Sequence, residues 1–92
     1  MTASGLETLA TAVRFELVMR GEIATPADSD SGTVRYLAGL NGDAAESYIR
    51  ERLLWSLHLT THPAHPYGWA DDARTALGEY ETFLRLEGRA AA

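Results

Sequence analysis

Apolar positions in the first segment, SGLETLATAVRFELVMRG, recur at helical spacing. Leu6, Leu9, Ala10, Val13 and Leu17 fall on one face. Ser4 followed by Glu7 reads as a capping box, in which hydroxyl and carboxylate satisfy each other's free amides. Gly21 supplies the left-handed residue that ends such a helix, predicted over 5–20. A second cluster, Phe15, Val18 and Met19, falls on the opposite side at i, i+3, i+4. The second half of this helix is therefore apolar on two sides. Either other helices cover both sides or one of them meets a partner.

Residues 22–32 read as loop, with Thr25, Pro26 and Asp28 able to start one helical turn. Asp28 and Asp30 lack the remainder of a calcium-loop pattern and are taken as a solvated connection. TVRYLAGL, 33–40, is short and apolar. With no neighbouring segment to pair with as a strand, it reads as a short helix. Asn41-Gly42 is a turn, and Asp43 with Glu46 gives a second capping signal.

A third helix is predicted over 44–61. Ala45, Ile49, Leu53, Leu57 and Thr60 share one face, with Tyr48, Trp55 and Leu59 to one side and Leu54 to the other. Only Ser47, Glu51 and His58 remain as a polar strip, so this helix is expected at the centre of the domain or of a dimer. The last helix, predicted over 69–87, is more cleanly amphipathic. Trp69, Ala70, Ala73, Ala76, Leu77, Tyr80, Phe83 and Leu84 line its apolar face. Asp71 and Asp72 in the first turn and Arg85 in the last suit the helix dipole. Gly88 is expected to end it, leaving 89–92 as a frayed tail.

The expected architecture is all-α: a small bundle of three long helices and one short helix, in a single domain spanning 1–92. Length agrees, since 92 residues leave no room for two independent cores. Apolar residues make up 46% and charged residues 23%, the balance of a globular chain. No apolar run reaches transmembrane length and no secretory leader is visible, so the expected setting is cytoplasmic, without a membrane.

Charge and side-chain inventory narrow the chemistry. The net charge of −5 argues against direct nucleic-acid binding, whose affinity rests on phosphate contacts. A helix-turn-helix over residues 34–52 fits poorly, because Asn41 and Asp43 occupy positions where apolar packing is needed. Without cysteine there is no disulfide, thiolate ligand or thiol nucleophile. No G-x-S-x-G elbow, phosphate-binding loop or dinucleotide fingerprint occurs. The expectation is that the chain is not an enzyme and needs no cofactor.

The histidines are the one candidate metal set. His58, His62 and His65 lie close in sequence, and His58 with His62 has the i, i+4 spacing that places two zinc ligands together on a helix. Pro63 and Pro66 spoil that spacing, because the residue before a proline is pushed out of helical geometry. A helix corner is the simpler reading, with zinc binding or pH response as the alternative. Protonating three histidines would take the charge from −5 to −2 near pH ~6.5.

The leading expectation is a protein–protein interaction module: a homodimer, an accessory subunit, or an inhibitor or regulator of a larger partner. Its candidate contact residues are Phe15, Val18, Met19, Tyr67 and Trp69, because exposed aromatics and methionines concentrate at interfaces. Trp55 and Tyr80 are assigned to the core. A further alternative is an acidic decoy that occupies the basic groove of a nucleic-acid-binding protein.

Overall fold

The computed structural model describes residues 3–60 and 68–91, and it is all-α. The order is α1 (Ala3–Met19), α2 (Ser31–Gly39), α3 (Gly42–Thr60) and α4 (Trp69–Ala91). Three helices are long and one is short, as the periodicity implied.

Helix α1 begins at Ala3, so Ser4 lies inside the helix rather than at its cap. Its C-terminus is a Schellman turn. Gly21 has φ 76°, its N–H donates to Val18 O at 3.0 Å, and Glu22 N–H donates to Leu17 O at 2.8 Å.

The chain then has no regular secondary structure over 22–30, and no helical turn forms at Thr25–Asp28. Its backbone is instead bonded to α4. Ala27 N–H donates to Arg74 O at 3.0 Å, and the Arg74 guanidinium donates to Ile23 O at 3.1 Å. The Thr82 hydroxyl donates to Ser29 Oγ at 2.8 Å. This strap lies so close to α4 that a Cβ on Gly78 would collide with the Ala27 carbonyl. Glycine is therefore required there by close approach, not by backbone torsion.

Two caps differ from expectation. Helix α2 starts two residues early because Asp30, read as loop, is its N-cap and accepts from Thr33 N–H at 2.7 Å. That bond to the Thr33 amide holds the Asp30 carboxyl below its ordinary range. Helix α3 is capped by Asn41, whose Oδ1 accepts from Ala44 N–H at 2.8 Å, and not by Asp43. Both cases follow one rule: the side chain just before the first turn wins over one already inside it.

Helix α4 continues through Gly88 to Ala91, so Gly88 does not end it and Arg85 is not in its last turn. An interior glycine costs about 1 kcal/mol, too little to stop a helix already anchored upstream.

The core comprises Leu6, Ala10, Val13 and Leu17 of α1, Leu37 of α2, and Ala45, Ile49 and Leu53 of α3. Trp69, Ala73, Ala76, Leu77, Tyr80 and Phe83 of α4 complete it. Each fully buried leucine or isoleucine contributes about 1.5–3 kcal/mol. Both α1 and α3 run antiparallel to α4. Arg14 pairs with Glu81 while Arg20 stacks on Trp69, and Tyr48 bonds Glu79 while Ser56 meets Trp69.

The central helix is α4, not α3. It touches α1, α2, α3 and the strap, and every residue from Ala76 to Tyr80 is buried. Alanines at 73 and 76 and glycine at 78 let neighbours approach from several sides. Helix α3 buries Ala45, Ile49 and Leu53 of its predicted face and half-buries Leu57, the side chain of Thr60 lying outside the described residues, but it leaves Leu54 and Trp55 exposed, so Trp55 is not a core residue. Leu84 is also partly exposed, off the apolar face assigned to it.

Candidate interaction surface

The outward side of α1 lies opposite Leu6, Ala10, Val13 and Leu17. At 100° per residue it gathers Thr8, Thr11, Ala12, Phe15, Val18 and Met19. Phe15 is 60% exposed, Val18 61% and Met19 67%. They are mutual neighbours at i, i+3 and i+4, so their apolar area is contiguous. Ile23, at the start of the strap, is exposed as well.

Three of the charged residues flanking this face, Arg14, Glu16 and Arg20, are engaged within the chain. Arg14 reaches Glu81 at 3.9 Å and Arg20 reaches Glu16 at 3.8 Å. The Arg20 guanidinium also sits 4.8 Å from the centre of the Trp69 ring.

Trp69 departs from its expected role. It is 5% exposed, and its indole N–H donates to Ser56 O at 2.8 Å. Its position on the apolar face of α4 outweighed its place beside a proline-rich corner. Trp69 therefore ties the start of α4 to α3 and is buried within the chain rather than exposed on its surface. Tyr67, His62 and His65 lie outside the described residues, as does the side chain of His58. Among the described residues no group of histidine and acidic side chains is arranged to hold a metal ion.

A second exposed region lies on α3. Tyr48, Glu51, Arg52, Leu54 and Trp55 line an open groove of about 560 Å³. Trp55 is 56% exposed there, and the Tyr36 ring meets Tyr48 edge-on at 5.2 Å. Behind the groove is a polar cluster. Glu79 of α4 is buried and accepts from Arg52 Nε at 2.8 Å and from the Tyr48 hydroxyl at 2.9 Å.

Burial, reinforced by the Glu79 hydrogen bond and charge, raises the Tyr48 phenol above its ordinary range. Burial pulls the Arg52 guanidinium down, but the bond and charge of Glu79 outweigh it and the net direction is up. The cluster keeps both partners in their ordinary ionic states and ties α3 to α4. Its geometry is that of a structural clamp, since neither Glu79 oxygen is left without a donor.

Sequence reading found Phe15, Val18 and Met19 from their off-face periodicity. It missed the exposure of Tyr36 and Trp55. Leu54 carried a signal, standing apart from the α3 face. Trp55 carried none, because an aromatic beside a buried stripe looks the same whether or not another element covers it.

No protein-family model matches the chain, and no curated protein or solved structure matches it. Among the described residues no helix is long and apolar enough to cross a membrane.

Proposed function

We propose that this chain is a non-catalytic protein-interaction module that docks through the outer face of α1. It acts as one half of a homodimer, or as an accessory subunit or inhibitor of a larger partner. The observation behind this reading is the contiguous exposed triad Phe15, Val18 and Met19 on a helix whose opposite face already completes the core. Large contiguous apolar patches on a folded surface mark contact sites, because leaving them in water is unfavourable.

The acidic-decoy alternative draws less support. Glu16, Glu22, Glu46, Asp71, Glu79 and Glu81 are held in ion pairs with the chain's own arginines. Such carboxylates are less available to a basic groove. The histidine alternative rests on side chains outside the described residues and gains no geometric argument.

The test is capture on the immobilised full chain, comparing wild type with Met19→Glu, with both the free chain and native host extract as prey. The expected result is a protein retained by wild type and lost from the variant. Equal retention by both, or retention of nothing by wild type, overturns the reading.

A further inference from the structure

We propose that residues 23–40, the strap and α2 together, form a lid that detaches from α4 as one unit while α1, α3 and α4 stay packed. The inference is independent of what meets the outer face of α1.

Four observations point to this unit. First, the core stands without it. Among the described residues, α2 supplies Leu37 alone to the buried core, and every other member belongs to α1, α3 or α4. Helix α2 packs chiefly on α4, whereas α1, α3 and α4 each pack on one another. Second, the segment lies between two points where the chain changes course. Gly21 is left-handed before it, and the Leu40 backbone is extended at its end, with φ −87° and ψ 147°. The helices beyond are closed on their own: the Schellman turn ends α1, and Asn41 caps α3. Third, strap and α2 share bonds. The Asp30 carboxylate accepts from Thr33 N–H at 2.7 Å, and the Asp30 carbonyl accepts from Val34 N–H at 3.1 Å. A helix of 9 residues does not persist alone in water, so α2 unwinds when it leaves α4 and its cap goes with it. Fourth, the seat is incompletely filled. An open cleft of about 210 Å³ between α2, α3 and α4 is lined by Leu37, Leu40, Ala45, Phe83 and Leu86. A second of about 210 Å³ lies at Val34, Thr82, Arg85 and Leu86. Atoms that face such space lack partners there and forgo dispersion attraction, which weakens the hold on α2.

Against opening stand the hydrogen bonds of Ala27 N–H to Arg74 O, of the Arg74 guanidinium to Ile23 O and of the Thr82 hydroxyl to Ser29. The burial of Leu37 and the edge-on contact of Tyr36 with Tyr48 add to them. Each residue released regains backbone freedom, so a long segment with so few ties opens before the core does. Opening uncovers Ala45, Phe83 and Leu86 along the cleft and parts the Ala27 carbonyl from Gly78.

The test is native-state hydrogen exchange of the full chain, read amide by amide by nuclear magnetic resonance in low urea. In wild type the amides of Ala27, Val34 and Leu40 should share one opening equilibrium, at least ~10-fold more open than that of Val13 and Ile49 in the core helices. They should also share one urea slope, smaller than the slope of the core amides, because the lid exposes less surface than the whole chain. Two variants read each end of the lid from the other. Gly78→Ala acts on the strap and should speed exchange at Leu40 by about tenfold. Leu37→Ala acts on α2 and should speed exchange at Ala27 by about 30-fold. Equal protection of all five amides in wild type overturns the proposal, because the lid then opens only with the core. Different opening equilibria at Ala27 and at Val34 or Leu40 overturn it as well, as does a flat urea response, since either marks independent fraying. So does Gly78→Ala that speeds Ala27 and leaves Leu40 unchanged.

Discussion

Gly78 and Gly88 both lie inside α4, and the same substitution should move stability in opposite directions at the two sites. A Cβ at Gly88 meets nothing within 4 Å. There Gly→Ala simply restores helix propensity, a gain of up to about 1 kcal/mol, reduced by closeness to the helix end. At Gly78 the new methyl would overlap the Ala27 carbonyl oxygen and stand 3.0 Å from its carbon. The obstacle is backbone, so it cannot rotate away, and the strap has to lift. Lifting it breaks the Ala27 N–H to Arg74 O bond and strains the Arg74–Ile23 and Thr82–Ser29 bonds on either side. At about 1 kcal/mol for each bond lost, the cost reaches about 2–3 kcal/mol. Subtracting the propensity gain leaves a net loss of about 1–2 kcal/mol, a fall in melting temperature of about 5–10 °C for a domain of this size. Urea titration followed by far-ultraviolet circular dichroism measures both variants against wild type. If Gly78→Ala is neutral or stabilising, the strap does not lie on α4 at that turn and the account of this glycine is wrong.

Two further outcomes follow from the polar contacts. Glu79→Ala should cost about 1–2 kcal/mol in the same titration, less than a fully buried pair would, because Arg52 is 37% exposed and regains water; Tyr48→Phe should cost about 1 kcal/mol or less. A cost below experimental error for Glu79→Ala would show that the clamp contributes nothing to holding α3 on α4. The Asp30 carboxyl titrates below its ordinary value of 3.8 in the folded chain, so its capping contribution is complete above about pH 4 and fades as pH falls through the folded value. Asp30→Asn also caps but does not titrate. The stability difference between the two should therefore change on going from pH ~5 to pH ~2. A constant difference over that range contradicts the assignment.

How far the sequence could be read depended on whether a feature was local. The four helices and the buried faces of α1 and α3 were legible because period and turn chemistry are written in neighbouring residues. The cap positions were off by one or two residues wherever two polar side chains competed, as at Asn41 and Asp43. What could not be read was which helix would be surrounded. Helix α3 has the more apolar sequence, yet α4 is central, because its small residues accept neighbours and its polar residues find internal partners. Glu79 looks like a solvent residue until Arg52 and Tyr48, far away in sequence, are placed beside it. The strap was read as a loop because its partner groups on α4 lie about fifty positions away, with separations of 51 and 53 at Ile23 and Ser29. The exposure of Phe15, Val18 and Met19 was legible because these residues broke the periodicity of the buried face. The burial of Trp69 was not legible, because it depends on how α3 packs beside the start of α4.

The enclosure of α4 between Ala76 and Tyr80 also bears on how this chain can drift. On an ordinary amphipathic helix, tolerated and forbidden positions alternate with the helical repeat. Here five successive positions offer no outlet to water. A saturation scan should show them as an unbroken intolerant block, with the familiar striping resuming on either side. Such a block would look like an active-site motif in an alignment, although geometry alone produces it.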